Sequence, residues 1–150
     1  MIIRKIAQDE RPPMNLLLTA DPSTESVDDY LLRGDCYVAE KGQRIVGVYV
    51  LLPTRPETAE LVNVAVAETH QGIGIGQQLV KDAIQIAKHS GYRTIEVGTG
   101  NSSIGQIALY QKCGFRMNGV DRDYFIRHYR EEIFENGIQC RDMIRFTQDL

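Results

Sequence analysis

The chain has 150 residues, of which 43% are hydrophobic and 25% charged, a composition typical of one globular domain that buries its own core. A net charge of −3 without a long Lys/Arg run argues against nucleic acid as a partner. Three cysteines without C-x-x-C spacing and no long apolar stretch predict no zinc site, disulfide framework or membrane span. We therefore expect one domain over residues 1–150, located in the cytoplasm and without a metal.

The N-terminal segment predicts one edge strand followed by two short helices. Ile2–Ile6 has the pattern of a strand, and Pro12-Pro13 opens a helix because proline is tolerated in the first helical turn. Ser26 is expected to cap a second helix, since acidic residues follow it. That helix should stop at Gly34, a residue that favours helix ends.

The next segment predicts antiparallel strands. Cys36–Ala39 and Ile45–Leu51 are apolar runs separated by a turn at Lys41-Gly42, which is a hairpin signal. The polar residues 53–58 are expected to form a loop before another strand, Glu60–Val66.

A strand, a glycine loop and a helix follow one another at the centre of the chain. After Glu60–Val66 comes the loop Gln71–Gly76, and then an amphipathic helix from about Gly76 to His89. The helix delivers the chain to a further strand, Thr94–Val97. Such a crossover makes the two strands parallel neighbours.

The glycine loop predicts an anion site. Glycines let consecutive backbone N–H groups converge at a helix N-terminus, where the helix dipole adds partial positive charge. The spacing of Gly72, Gly74 and Gly76 does not fit the dinucleotide fingerprint, and Gln77-Gln78 replaces the Lys-Ser/Thr of a Walker A loop. A different phosphate-bearing ligand is therefore expected.

Two motifs resemble the GNAT acyltransferase family. Gln71, Gly74 and Gly76 form a Gln-x-x-Gly-x-Gly loop similar to the family's pyrophosphate loop. Asn101, followed by residues 108–115 with Tyr110 and a Gly-Phe ending, resembles the family's later motif. The resemblance extends over most of the chain and is specific mainly between Glu60 and Phe115.

The resemblance implies an α/β (α+β) GNAT fold. Its central, twisted sheet would have about seven mostly antiparallel strands, with one parallel pair around the central helix and flanking helices on both faces. The segment between residues 121 and 136 would line the acceptor site, and a closing strand is expected within residues 138–146.

The resemblance also implies a reaction. The acetyl group of acetyl-CoA would move to the amine of a small molecule by direct attack in a ternary complex. The alternatives are a protein N-terminus or lysine as acceptor, or a CoA-binding sensor without catalysis. GNAT proteins occur as monomers and dimers, so a homodimer is possible.

The family motifs imply a set of residues that bind acetyl-CoA. Three strand residues would offer backbone groups to the pantetheine arm, the loop would bind the pyrophosphate, and Lys112 could approach the 3′-phosphate. The proposed cofactor-binding residues are Val64, Ala65, Val66, Gln71, Gly72, Ile73, Gly74, Ile75, Gly76, Asn101 and Tyr110.

Acetyl transfer needs a base and an acid. An alkylammonium acceptor must lose a proton before it attacks, at a cost of about 4 to 5 kcal/mol at neutral pH. A base or a water relay must take this proton; Glu96 is the first candidate for the base and Glu60 the second. The alternative for Glu96 is a strand carboxylate that faces solvent, and for Glu60 it is a charge at the edge of the sheet. Tyr110 matches the family's tyrosine, which would protonate the departing thiolate; the alternative is a core residue.

Overall fold

The computed structural model describes residues 1–150 and contains nine strands and five α-helices. The strands are β1 (Ile2–Lys5), β2 (Asp35–Lys41), β3 (Arg44–Arg55), β4 (Thr58–Val66), β5 (Thr94–Gly100), β6 (Arg116–Asp121), β7 (Phe134–Glu135), β8 (Ile138–Gln139) and β9 (Met143–Asp149). The helices are α1 (Met14–Ala20), α2 (Thr24–Arg33), α3 (Ile75–His89), α4 (Ile104–Lys112) and α5 (Tyr124–His128). No helix is long and apolar enough to cross a membrane.

Seven strands form one sheet in the order β1-β2-β3-β4-β5-β9-β6. All neighbours are antiparallel except β4 and β5, which run parallel because α3 carries the chain from one to the other. This confirms the expected seven-stranded, mostly antiparallel sheet with one parallel pair. A separate hairpin consists of β7 and β8.

Helices cover both faces of the sheet, as expected. Leu17 of α1 and Val27 of α2 pack with alternate residues of β2 and β3 in one buried cluster. On the opposite face, Leu79 and Val80 of α3 and Tyr110 of α4 belong to a second, larger cluster. The sheet therefore lies between two apolar layers.

An irregularity in β4 opens the centre of the sheet. On the β3 side, Leu61 pairs with Leu51 and Asn63 with Val50, so Val62 is an extra residue in the ladder. Such a bulge bends its strand and interrupts pairing. On the β5 side, pairing ends at Leu61, although both strands continue beyond it. The rest of β4 and β5 is therefore not joined by hydrogen bonds, and a cleft separates the two strand edges.

Some local expectations were wrong. Ser23, not Ser26, caps α2: its side chain accepts a hydrogen bond from the Ser26 backbone N–H, at 3.2 Å. The acidic residues that suggested Ser26 as the cap lie beyond the first turn of α2. The predicted loop 53–58 is largely strand, because β3 and β4 meet in a tight turn at Pro56-Glu57, with Glu57 at φ 62°.

The C-terminal segment is more divided than the sequence suggests. Residues 138–146 do not form one strand: β8 ends at Gln139, and the closing strand β9 begins at Met143. Between β6 and β7, helix α5 lies beside the cleft. Helix α5 and the residue that follows it therefore contribute side chains to the cleft.

Candidate active site

Two cavities meet where β4 and β5 separate. The larger, of about 770 Å³, lies between the α1–α2 connection, the cleft and α5. The smaller, of about 260 Å³, lies at the start of α3. Residues that line both are Val64, Ala65, Val66, Gln71 and Gln106.

The glycine loop leads into α3 with free backbone amides. Gly72 and Gly74 have φ of 79° and 89°, a left-handed conformation that side chains disfavour. Gly74 occupies the N-cap position, and no side chain caps the helix. The N–H groups of the first turn therefore lack a capping partner in the protein, and together with the helix dipole they can bind an anion.

The other predicted loop residues support this geometry. The Gln71 Nε2 donates to the Val66 backbone oxygen at 3.1 Å, which ties the loop to the end of β4. Ile75 is buried in the core, whereas Ile73 is 60% exposed. The two isoleucine side chains thus lie on opposite sides of the loop. Since both are apolar, the backbone N–H groups are the part of this segment that suits a phosphate.

The strand residues Val64, Ala65 and Val66 border both cavities. Their other edge is hydrogen-bonded to β3, in register with Tyr49, Val48 and Gly47. Because β5 has separated from β4 at this level, the backbone groups on the β5 side have no strand partner. An extended ligand with amide groups can pair with such an edge.

Sequence reasoning missed Gln106, which stands between the two cavities. Its Oε1 is buried and accepts no hydrogen bond from the protein. A buried acceptor of this kind needs a donor from water or a ligand. The sequence feature that could have identified Gln106 is its position four residues before Tyr110, which places both residues on one face of α4.

Tyr110 lines the larger cavity from the core side. It is 4% exposed, and its ring packs edge-to-face against Phe115 and Phe146, with centroids 5.9 and 5.7 Å apart. Burial raises the pKa of the Tyr110 phenol well above its usual value. The hydroxyl is therefore protonated at neutral pH and available as a donor.

Of the two candidate bases, the structure places Glu60 in the larger cavity. Its side chain forms no ion pair in the protein, and burial raises the pKa of its carboxyl. The charge of Arg145 opposes that rise in pKa, Glu96 adds to it, and Arg55 opposes it. A carboxyl with a raised pKa in a cavity is a candidate general base.

Glu96 lies beside Glu60 but outside the lining of the larger cavity. Its Oε2 forms an ion pair with Nη2 of Arg55. The structure therefore brings Glu60, rather than Glu96, together with Tyr110 in one cavity.

Asn101 lines neither cavity, and both ends of its amide are engaged. Nδ2 donates to the Gln139 oxygen at 3.1 Å, and Oδ1 accepts from the backbone N–H groups of Arg141 and Asp142 at 2.8 and 2.9 Å. Ser103, two residues later, lines the larger cavity. Lys112 is exposed and lies outside both cavities.

A hydrogen-bonded chain of four side chains lines the larger cavity. Asp21 accepts from the hydroxyls of Tyr129 and Tyr30, at 2.8 and 3.2 Å. Nδ2 of Asn63 donates to the Tyr30 hydroxyl at 2.8 Å and to the Leu17 oxygen at 3.0 Å. Oδ1 of Asn63 is buried and has no donor in the protein.

The segment 121–136, which the resemblance assigns to the acceptor site, contributes residues to the larger cavity. Tyr124, Phe125 and Tyr129 line it, and the guanidinium of Arg145 stands 5.8 Å from the Tyr124 ring centre. Burial raises the pKa of Tyr124 and Tyr129, so both stay neutral.

Comparisons with known proteins all point to acetyltransferases. Residues 3–115 match the model of the acetyltransferase (GNAT) family. The uncharacterized N-acetyltransferase YvbK of Bacillus subtilis (strain 168) is 62% identical over 136 residues, which span 91% of this chain and 88% of the relative.

Two solved structures superpose closely. A GNAT family acetyltransferase from Elizabethkingia anophelis, with acetyl-CoA bound, has a TM-score of 0.97 at 48% identity, covering 99% of this chain and 97% of that one. A Bacillus subtilis acetyltransferase in complex with CoA has a TM-score of 0.93 at 58% identity, covering 99% of each chain. The chain thus belongs to the GNAT family and is an acyltransferase.

Proposed function

We propose that this protein is an N-acetyltransferase that moves the acetyl group of acetyl-CoA to the amine of a small molecule, by direct attack in a ternary complex. The separation of β4 from β5 carries the proposal, because it joins an anion site at α3 to a cavity that contains an unpaired carboxylate. Relatives described with acetyl-CoA and CoA bound support the choice of donor.

The residues around the smaller cavity suit the coenzyme. Backbone amides of residues 72–76 would bind the pyrophosphate, and the β4 edge at residues 64–66 would pair with the pantetheine amides. The free Oε1 of Gln106 would accept a hydrogen bond from the same arm. This arrangement directs the thioester toward the larger cavity.

Glu60 and Tyr110 would handle the two protons of the reaction. Glu60 takes a proton from the ammonium, and the resulting lone pair attacks the thioester carbonyl. When the tetrahedral intermediate collapses, the C–S bond breaks, and the Tyr110 hydroxyl can hydrogen-bond or protonate the departing thiolate. The nitrogen of the adduct loses one of its two protons to solvent, solvent exchange returns Glu60 and Tyr110 to their starting protonation states, and the products are an amide and CoA.

Direct transfer is favoured over an acetyl-cysteine intermediate. Cys140 lines the larger cavity, but burial raises the pKa of its thiol, and burial does the same to Cys113. A thiol with a raised pKa is a poor nucleophile at neutral pH because little thiolate is present.

A small acceptor is favoured because the larger cavity is bridged. The hydrogen bond from Tyr129 to Asp21 joins residues 108 positions apart and connects the α5 end to the α1–α2 connection. We infer that this contact across the cavity favours a small molecule over a folded protein surface at Glu60.

Release of CoA thiol with a panel of small amines and peptides tests the proposal. We expect turnover with small amines and intersecting initial-rate lines, as a ternary complex requires. Parallel lines would favour an acetyl-enzyme. Turnover with peptides alone would favour a protein acceptor, and acetyl-CoA binding without any turnover would favour a sensor.

A further inference from the structure

Two opposite charges in the larger cavity lack a strong partner. Glu60 on β4 and Arg145 on β9 both line it, and the charge of Arg145 acts to lower the pKa of Glu60, yet the two form no ion pair with one another. Oppositely charged groups that share a half-buried cavity without contact leave room for a ligand that carries both complementary charges.

Arg145 has hydrogen-bond donors to spare. Its Nη2 lies 3.4 Å from Oδ2 of Asp121, a long contact. Asp121 is bound more closely by Arg127, at 2.8 Å. The Arg145 guanidinium is also held near the Tyr124 ring, a favourable position for a planar cation. Since a guanidinium carries five N–H donors in a fork, Arg145 can still bind a carboxylate through two of them.

The other charges of the cavity already have partners. Arg33 and Asp29 form an ion pair at 2.7 Å. Asp21 accepts from two tyrosine hydroxyls, and Glu135 accepts from the hydroxyls of Ser102 and Ser103. Glu60 and Arg145 are the charges left to recognise a ligand.

Asn63 adds a second acceptor for an amine. The bulge at Val62 places Asn63 on the face of β4 that is turned toward α1 and α2, where it contacts Leu17 and Tyr30. Glu60 directly precedes Leu61, whose side chain is buried in the cluster on the opposite face, so Glu60 lies on the same face as Asn63. Asn63 is 4% exposed, and its Oδ1 has no donor. An amine placed beside Glu60 could supply that donor.

We propose that the acceptor is an amino acid or a similar small zwitterion, with its amine at Glu60 and Asn63 and its carboxylate on the Arg145 guanidinium. This inference rests on the proposed function and names the substrate class of the same site. Arg145 is then a specificity-determining residue, because a carboxylate on the substrate satisfies donors that a simple amine leaves unpaired.

Matched substrates test the proposal. The value of kcat/KM is measured for phenylalanine, for its neutral carboxamide and for 2-phenylethylamine, and likewise for the leucine series. We expect the amino acid to exceed the carboxamide by about ten- to hundredfold, the range of a charge-assisted hydrogen bond. The carboxamide has nearly the same size but a less basic amine, so the substrates are compared at a pH above the pKa values of their amines, where the carboxylate charge is the main difference.

Variants assign the preference to one residue. Arg145→Gln should reduce the ratio of the two kcat/KM values to near one, and Arg145→Lys should restore part of it. Arg141→Gln is the matched control, because Arg141 also pairs with an aspartate, Asp123, but does not line the cavity and shares no partner with Arg145. This control should keep the wild-type ratio.

Two results would overturn the inference: equal values for amino acid and carboxamide, or a preference that survives in Arg145→Gln. A titration of CoA verifies that each variant is folded. If no amine turns over, the proposed function fails, and titration of phenylalanine and its carboxamide into the protein–CoA complex still measures the preference. Tighter binding of the amino acid there would support the inference, and equal binding would contradict it.

Discussion

Glu60 and Glu96 stand directly opposite each other on the parallel strands β4 and β5, yet only Glu60 lines the larger cavity. Side chains at paired positions of parallel strands lie on the same face, so two carboxylates are neighbours there. Arg55 neutralises Glu96. Residues of β3 and β5 therefore determine the charge beside the candidate base on β4.

Replacing Glu60, the candidate base, is the most direct test of this site. Glu60→Gln keeps the size of the side chain but cannot accept the amine proton. We expect kcat/KM for the acceptor to fall by about 10² to 10⁴, the usual contribution of general-base catalysis. Acetyl-CoA affinity, measured by titration, should stay the same. A variant that retains wild-type turnover would exclude Glu60 as the base.

Substituting the two charged neighbours of Glu60 should shift the pH dependence of kcat/KM in opposite directions. Glu96 raises the pKa of Glu60 and Arg55 lowers it. The base works when deprotonated, so kcat/KM falls as the pH drops below its pKa. Glu96→Gln removes a like charge and should move this acid limb to lower pH, whereas Arg55→Gln should move it to higher pH.

The double variant and the remaining charges serve as controls for that experiment. Glu96→Gln with Arg55→Gln should give a limb between those of the single variants, because the pair contributes little net charge. Arg145 also faces Glu60, from β9, and Tyr124 does so from α5 in its neutral form; both stay in place. If Glu96 were itself the base, Glu96→Gln would instead depress the rate at every pH.

Tyr110→Phe should separate turnover from coenzyme binding. The ring packs against Phe115 and Phe146, and phenylalanine preserves those contacts. The phenol has no hydrogen bond to lose within the protein, so stability should change little. We expect turnover to fall by about 10²-fold or more while the acetyl-CoA dissociation constant stays constant. Unchanged turnover would leave Tyr110 with a core role alone.

The sequence predicts the centre of this fold well because local patterns determine it. The strand, glycine loop and helix between Glu60 and His89 follow from periodicity and from turn chemistry. The parallel pairing of β4 and β5 follows from the crossover. These features depend on neighbours in the chain, and the structure confirms them.

The larger cavity could not be predicted in the same way, because distant residues meet there. The bulge at Val62 leaves no sign in the strand pattern, yet it decides which side chains face the cavity. Glu60 and Glu96 occupy equivalent strand positions, and neither the cavity beside Glu60 nor the ion pair of Glu96 with Arg55, 41 residues away, can be predicted from the strand pattern. Similarly, the backbone around residues 139–142 engages Asn101, and this contact requires the closed fold.

The left-handed backbone of the glycine loop can be tested by replacing Gly74. Gly74 has φ 89° and open space around the position of a Cβ atom, so Gly74→Ala introduces backbone strain without a clash. We expect a loss of about 1 to 2 kcal/mol in the free energy of unfolding, measured by urea titration, together with weaker binding of CoA. The binding loss arises because relaxing the strain turns the loop amides away from the pyrophosphate.

Gly91 provides a control matched in conformation. It also has φ 89° with nothing within 4 Å of a Cβ position, but it follows the C-terminus of α3 and lines neither cavity. Gly91→Ala should lower stability by a similar amount, about 1 to 2 kcal/mol, and leave CoA affinity unchanged. Since both substitutions carry the same strain, only a loss of CoA affinity specific to Gly74→Ala would assign the anion site to the loop. Equal affinities in the two variants would show that the coenzyme does not depend on it.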